Sequence, residues 1–234
     1  MVLSALPKWL GPRPAGWLVA GSVFTALAVA VTLFGGSLGL DLGRGVAKML
    51  ASTGFLVTAI FAGALQSRYG VAIFVGLFFS WWGDLFLISS DDTIFLMGLV
   101  AFLLGHVAYA VAFLVWGVHV PTAGVMALLV VAPVYVVFQW LNPHLGDMRL
   151  PVYAYMLVIT SMVILSAGAT RKNGTALMLV AALMFWVSDI CVARSRFVEP
   201  GPINALIGLP LYFGGQLVFA WSIRAANRLR GIAT

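Results

Sequence analysis

The sequence predicts an all-α polytopic membrane protein with eight transmembrane helices around an intramembrane polar cavity. Three observations lead there. Of the 234 residues, 62% are hydrophobic and only 9% charged, against about a quarter charged in an ordinary soluble domain. Apolar stretches of the length needed to cross hydrocarbon about 30 Å thick, about 20 helical residues, recur along the whole chain. The few ionisable groups inside those stretches cost several kcal/mol in lipid unless they are paired or wetted, which turns them inward onto a shared polar space. No stretch remains for a separate water-soluble fold, so residues 1–234 are read as a single integral membrane domain.

The spans follow from apolar runs bounded by charge, proline or glycine. The first, 15–37, follows Lys8 and Arg13; it exceeds a signal-peptide core of about 7–15 residues and reads as a retained span. The second, 48–65, opens at Lys48 after "DLGRG" and closes at "QSRYG". The third, 70–89, ends in "SSDD", and the fourth, 93–116, ends at Trp116. The fifth, 121–141, runs from Pro121 to the polar, turn-forming "NPHLGDMRLP". The sixth, 150–169, stops before Arg171 and Lys172; the seventh, 174–194, ends at Arg194; the eighth, 203–224, follows Pro202 and ends at Arg224. Trp9, Trp17, Trp116, Trp140 and Trp221 fall near proposed span ends, where an interfacial aromatic belt lies.

The net charge of +6 does not point to nucleic acid, because basic residues stand singly or in pairs at the edges of apolar runs, where anionic lipid head groups meet them. Membrane lipids are therefore the expected partners. The lone cysteine, Cys191, excludes an intrachain disulfide and reads as packing. Eight spans put both termini on one side. That side collects Lys8, Arg13, Arg68, Arg171, Lys172, Arg224, Arg228 and Arg230, against Arg44, Lys48, Arg149, Arg194 and Arg196 on the other. The excess favours cytoplasmic termini.

Five of the seven acids, Asp41, Asp91, Asp92, Asp147 and Glu199, sit in proposed loops. Asp84 and Asp189 do not. They lie about 14 and 15 residues into spans three and seven, about 20 Å from the entry faces. Those spans run in the same direction, so the carboxylates are expected at matching depth, and facing one another if the helices are neighbours. His106 lies mid-way along span four with Tyr109 one turn on; Tyr212 and Gln216 share a face of span eight, and Ser80 shares one with Asp84. Ser188 adjoins Asp189 in "WVSD". His106 and Tyr109 also suit a plain interhelical hydrogen bond, and Ser80 and Gln216 suit helix glue. Phe185 and Phe213 read as lining. Glycines precede the polar groups at Gly83, Gly105, Gly214 and Gly215, allowing close backbone approach. A weak internal echo pairs "SWWGD" then "GH" with "WVSD" then "GGQ".

No nucleophile elbow, phosphate-binding loop or paired zinc histidines occur, and the span interiors offer one histidine, so neither a metal nor a cofactor is expected. Two carboxylates sharing a low-dielectric chamber divide their roles into a general acid and a general base or cation stabiliser. That equipment suits acid-catalysed cleavage of an activated C–O bond, by way of an oxocarbenium-like transition state.

The blocks "GLFFSWWGDLFL", "GLVAFLLGHVAYAVAF", "LPVYAYMLVITSM", "ALMFWVSDICVARSRF" and "LYFGGQLVFAWS", in this order, resemble the signature blocks of the lysoplasmalogenase family, the YhhN group of multispan membrane proteins. The resemblance covers most of the chain after about residue 45, including Lys48. It implies an eight-span hydrolase that cleaves the vinyl ether of a lysophospholipid to a fatty aldehyde and glycerophosphocholine or glycerophosphoethanolamine. It further implies that Asp84 and Asp189 are the catalytic pair. His106, Tyr109, Tyr212, Gln216, Ser80 and Ser188 would support them: His106 and Gln216 bonding the carboxylates or positioning water, Tyr109 and Tyr212 lining the head-group entry. A bacterial cell membrane is favoured as the location over the endoplasmic reticulum. The rival reading is a proton-coupled transporter of a small molecule or lipid, since intramembrane acids also mark proton relays.

Overall fold

The structure, a computed structural model, describes residues 13–37 and 43–232. Lys8, Trp9 and Asp41 lie outside them. Eight membrane-length helices form, and no strand occurs among the described residues. They are α1 (Ala15–Phe34), α2 (Arg44–Phe61), α3 (Arg68–Phe86), α4 (Asp92–Trp116), α5 (Val120–Leu141), α6 (Arg149–Arg171), α7 (Ala176–Ala193) and α8 (Pro202–Leu229). In hydrocarbon a helix satisfies its backbone groups internally, so polar residues concentrate at the ends. Ser67 accepts from the Gly70 amide to start α3, Asp91 from Thr93 and Ile94 to start α4, and Thr175 from Leu177 to start α7. These caps answer the unpaired amides of each first turn.

Some limits differ from those expected, and the differences matter. α2 begins at Arg44, which places Lys48 in its second turn instead of at its edge. α3 stops at Phe86, so Asp84 sits in its last turn. α8 runs on to Leu229, leaving Trp221 well inside the helix, where its indole N–H donates to Ser22 of α1 at 3.1 Å. Trp116 does lie at a helix end and donates to the Lys172 carbonyl at 3.2 Å.

The most extensive packing is within two hairpins, α3 with α4 and α7 with α8. α6 joins α4 to α7, and α8 returns to α3, closing a ring of five helices. α2 packs outside that ring on α3 and α8, α1 on α2 and α8, and α5 mainly on α6. α5 is the most lipid-like element, with Leu128, Leu129 and Val131 exposed on its surface.

Small residues set the closest crossings, as is usual where lipid offers no hydrophobic drive between helices. A methyl group on Gly76 of α3 would lie 2.2 Å from the Tyr109 ring of α4, and one on Gly83 would lie 2.6 Å from the Phe102 ring. Across α1 and α2, a methyl on Gly21 would meet the Thr58 hydroxyl at 2.3 Å and one on Gly54 the Thr25 hydroxyl at 2.3 Å.

Candidate active site

Asp84 is buried, its side chain 1% exposed. Ser52 of α2 and Tyr212 of α8 each donate a hydroxyl to its Oδ2 at 2.6 Å. Lys48, one helical turn before Ser52, sets its ammonium 3.2 Å from Oδ1. The same ammonium donates to the Asp84 backbone carbonyl at 3.1 Å. Lys48 thus neutralises the carboxylate and also caps the final turn of α3, where a cation suits the helix dipole. Every partner of this carboxylate is a donor, and one is a cation, an arrangement that favours the ionised form.

Asp189, on α7, is furnished differently. Tyr155 of α6 donates to its Oδ2 at 2.6 Å, and His106 of α4 places Nε2 3.5 Å from the same oxygen. Its side chain is 18% exposed. The tautomer of His106 follows from its other nitrogen: Nδ1 lies 2.6 Å from the Phe102 carbonyl, an acceptor only, so Nδ1 carries a hydrogen. The ring stacks on Phe185 with centroids 4.6 Å apart, which fixes its plane. If His106 were neutral and Asp189 ionised, an imidazole lone pair would face a carboxylate oxygen. Buried Nε2 makes no hydrogen bond among the described residues, and Asp189 Oδ2 is the acidic oxygen that faces it.

Both acids line one cavity of about 460 Å³, a size typical of small-ligand sites. α3 and α7 are not packed neighbours: α8 separates them on one side and α4 with α6 on the other, and the cavity fills the space between. Its apolar wall includes Phe102, Val134, Val137, Ile159, Trp186 and Leu209, and Tyr212 lines it beside Asp84. Toward the helix ends that join α3 to α4 and α7 to α8, Ser89, Ser195, Arg196 and Asn204 enter the wall.

The remaining expected residues stand behind that wall. Tyr109 is fully buried, donates to Gln216 Oε1 at 2.7 Å and stacks on Phe219 at 4.2 Å. It does not line a head-group entry, because the space opposite Gly76 draws its ring into the α3–α4 crossing. Gln216 accepts from Tyr109 through Oε1, and its buried Nε2 makes no hydrogen bond, to either carboxylate or to another group, among the described residues. Ser80 donates to the Gly76 carbonyl at 2.9 Å, and Ser188 to the Phe185 carbonyl at 2.7 Å, both backbone contacts within their own helices. Sequence reasoning missed Ser52 and Tyr155 and took Lys48 only as a span boundary. Lys48 and Ser52, spaced i and i+4 on one helix face, were the available signal.

The internal echo has a geometric counterpart. α2, α3 and α4 supply Lys48 with Ser52, then Asp84, then His106; α6, α7 and α8 supply Tyr155, then Asp189, then Tyr212. In each half the preceding helix donates to the acid. The following helix serves the acid of the other half: His106 faces Asp189, and Tyr212 bonds Asp84.

All of these residues fall within 44–223, the segment matched by the model of the YhhN family. The chain belongs to the YhhN family. Among curated relatives, this YhhN protein is 32% identical over 157 residues to lysoplasmalogenase TMEM86A of Bos taurus, covering 64% of each chain. It is 30% identical over 138 residues to lysoplasmalogenase TMEM86B of Sus scrofa, covering 58% of this chain and 57% of that one. The matches thus span about 64% or less of those relatives' length. No solved structure matches the chain.

Proposed function

We propose that this YhhN protein hydrolyses the vinyl ether of lysoplasmalogens, giving a fatty aldehyde and glycerophosphocholine or glycerophosphoethanolamine. The single observation that carries the reading is the unequal pair of acids on one cavity: Asp84 with three donors, Asp189 with one tyrosine donor and facing the unpartnered Nε2 of His106. Family membership and the similarity to relatives named lysoplasmalogenase support it.

In the proposed reaction Asp189 and His106 share one proton while Asp84 stays ionised. The Asp189–His106 pair delivers its proton to the alkene carbon remote from oxygen, and the positive charge that develops on the C–O unit is stabilised by the Asp84 carboxylate. Water adds to the oxocarbenium carbon and returns a proton to the Asp189–His106 pair. The hemiacetal so formed collapses: its C–O bond to glycerol breaks, the hydroxyl proton moves to the glycerol oxygen, and the aldehyde leaves. Proton transfer and charge stabilisation of this kind each contribute several powers of ten in rate. Tyr212 and Tyr155 hold the two carboxylates in place, and the acyl-like tail lies along the apolar wall of the cavity. With both termini in the cytoplasm, as the basic residues favour, the polar end of the cavity faces the opposite side of a bacterial cell membrane.

The test is incubation of the purified protein with 1-alkenyl-glycerophosphocholine in detergent, followed by assay for free aldehyde. Aldehyde release is the expected result. Substrate movement across proteoliposomes with no aldehyde formed would replace this reading with the carrier reading.

A further inference from the structure

The reaction concerns a C–O bond, yet the substrate class carries a phosphodiester, and an anion entering a low-dielectric cavity requires a cation. Three basic side chains lie near enough to be considered. Lys48 is spent on the Asp84 carboxylate and carbonyl. Arg194 lies between Asn204 and Glu199. Arg196 is different. It lines the cavity at the polar end, beside Ser195. Its Nη2 pairs with Asp92 of α4, and its guanidinium lies 4.5 Å over the Phe95 ring. Nη1 and Nε donate to no acceptor among the described residues.

Three further features mark Arg196 as a replaceable contact rather than a fixed strut. Asp92 is largely exposed, its side chain 78% accessible, so the tether is a surface ion pair of small net value. The pair joins the first turn of α4 to the connection between α7 and α8, at the polar end of the cavity. And Arg196 sits in a π-helical turn, Arg194–Val198, that continues α7; single π-turns of this kind gather at functional sites.

We propose that Arg196 is the phosphate-binding residue of this site, exchanging Asp92 for the phosphodiester of the lysophospholipid head group. The inference rests on the lysoplasmalogenase reading and names what that reading leaves open, the contact that selects a phosphate-bearing substrate. The spacing agrees. Arg196 follows Asp189 by seven positions, about 10 Å along a helix axis. Five bonds of about 1.5 Å separate the ether oxygen from phosphorus, a reach of roughly 6 Å, and the arginine stem spans the remainder. A guanidinium held over the Phe95 ring can offer its planar N–H edge to two phosphate oxygens, the geometry in which arginine exceeds lysine.

The experiment compares kcat/KM for 1-alkenyl-glycerophosphocholine and for 1-alkenylglycerol of the same chain length, in wild type, R196Q, R196K and D92N. Wild type should prefer the phosphodiester. R196Q should erase that preference by about 10- to 100-fold, chiefly through KM, with R196K intermediate. D92N should lower KM for the phosphodiester a few-fold, because the competing carboxylate is gone. An undiminished preference in R196Q overturns the proposal. If R196Q does not fold, D92N decides alone: an unchanged or raised KM for the phosphodiester overturns it. Binding of the non-hydrolysable 1-alkyl-glycerophosphocholine gives a readout independent of turnover. A wild type that releases no aldehyde yet binds this lipid in an Arg196-dependent way would defeat the hydrolase reading and keep the phosphate site.

Discussion

Asp84 and Asp189 occupy corresponding places in two helix triplets, α2–α4 and α6–α8, yet they are furnished with different partners. The first triplet gives its buried acid an ammonium and a serine; the second gives its acid a tyrosine and leaves it partly open. The following helices then cross over, so that the histidine of the first triplet faces the acid of the second and the tyrosine of the second bonds the acid of the first. What this teaches is how a near-symmetric scaffold gives two acids unlike surroundings. A lysine ammonium pairs with one acid, and on the other side an imidazole faces the second acid, which in the proposed reaction is where the transferred proton is held.

The sharpest way to break the comparison is to remove each acid in turn. D84N and D189N should each lower aldehyde release by about 10²- to 10⁴-fold, the range for a group engaged in proton transfer or its charge stabilisation. The two variants should part in stability. D84N strands the Lys48 ammonium, as K48M strands the Asp84 carboxylate, and each should cost about 3–5 kcal/mol. The double variant K48M/D84N should recover most of that loss, measured by thermal unfolding in detergent, while D189N should lie near wild type. Equal destabilisation by D84N and D189N would show that the two acids are not furnished differently.

A smaller effect sharpens the same contrast. H106Q should lower turnover by roughly 10- to 100-fold and change the shape of its pH profile, because the proposed reaction loses the group that shares a proton with Asp189. Y212F, on the other acid, should lower turnover by about tenfold or less and leave that shape intact. The smallest change is expected for Y155F, which removes one hydrogen bond from Asp189 worth about 1 kcal/mol while His106 stays in place.

The division of the chain into spans was legible because hydrocarbon thickness sets helix length almost without reference to partners. Asp84 and Asp189 were legible for a related reason: a carboxylate costs too much in lipid to be casual. Their partners were not. Lys48 stood at the edge of an apolar run and read as a boundary, and only the start of α2 at Arg44 carries it inside. Ser52 and Tyr155 are ordinary residues for packed membrane helices, and what they touch depends on helix rotation, which a one-dimensional pattern does not encode. Tyr109 failed in the opposite sense. Its place in the α3–α4 crossing is fixed by Gly76, a contact visible only once both helices are packed.

The claim beneath all of this is that the two acids act as one unit across a shared cavity. Aldehyde release measured for D84N, D189N and D84N/D189N, with all three shown to be folded, tests it most directly. Groups that serve the same step lose little more together than apart, so the double variant should fall within about tenfold of the slower single. Losses that multiply would contradict the account and leave two carboxylates working separately.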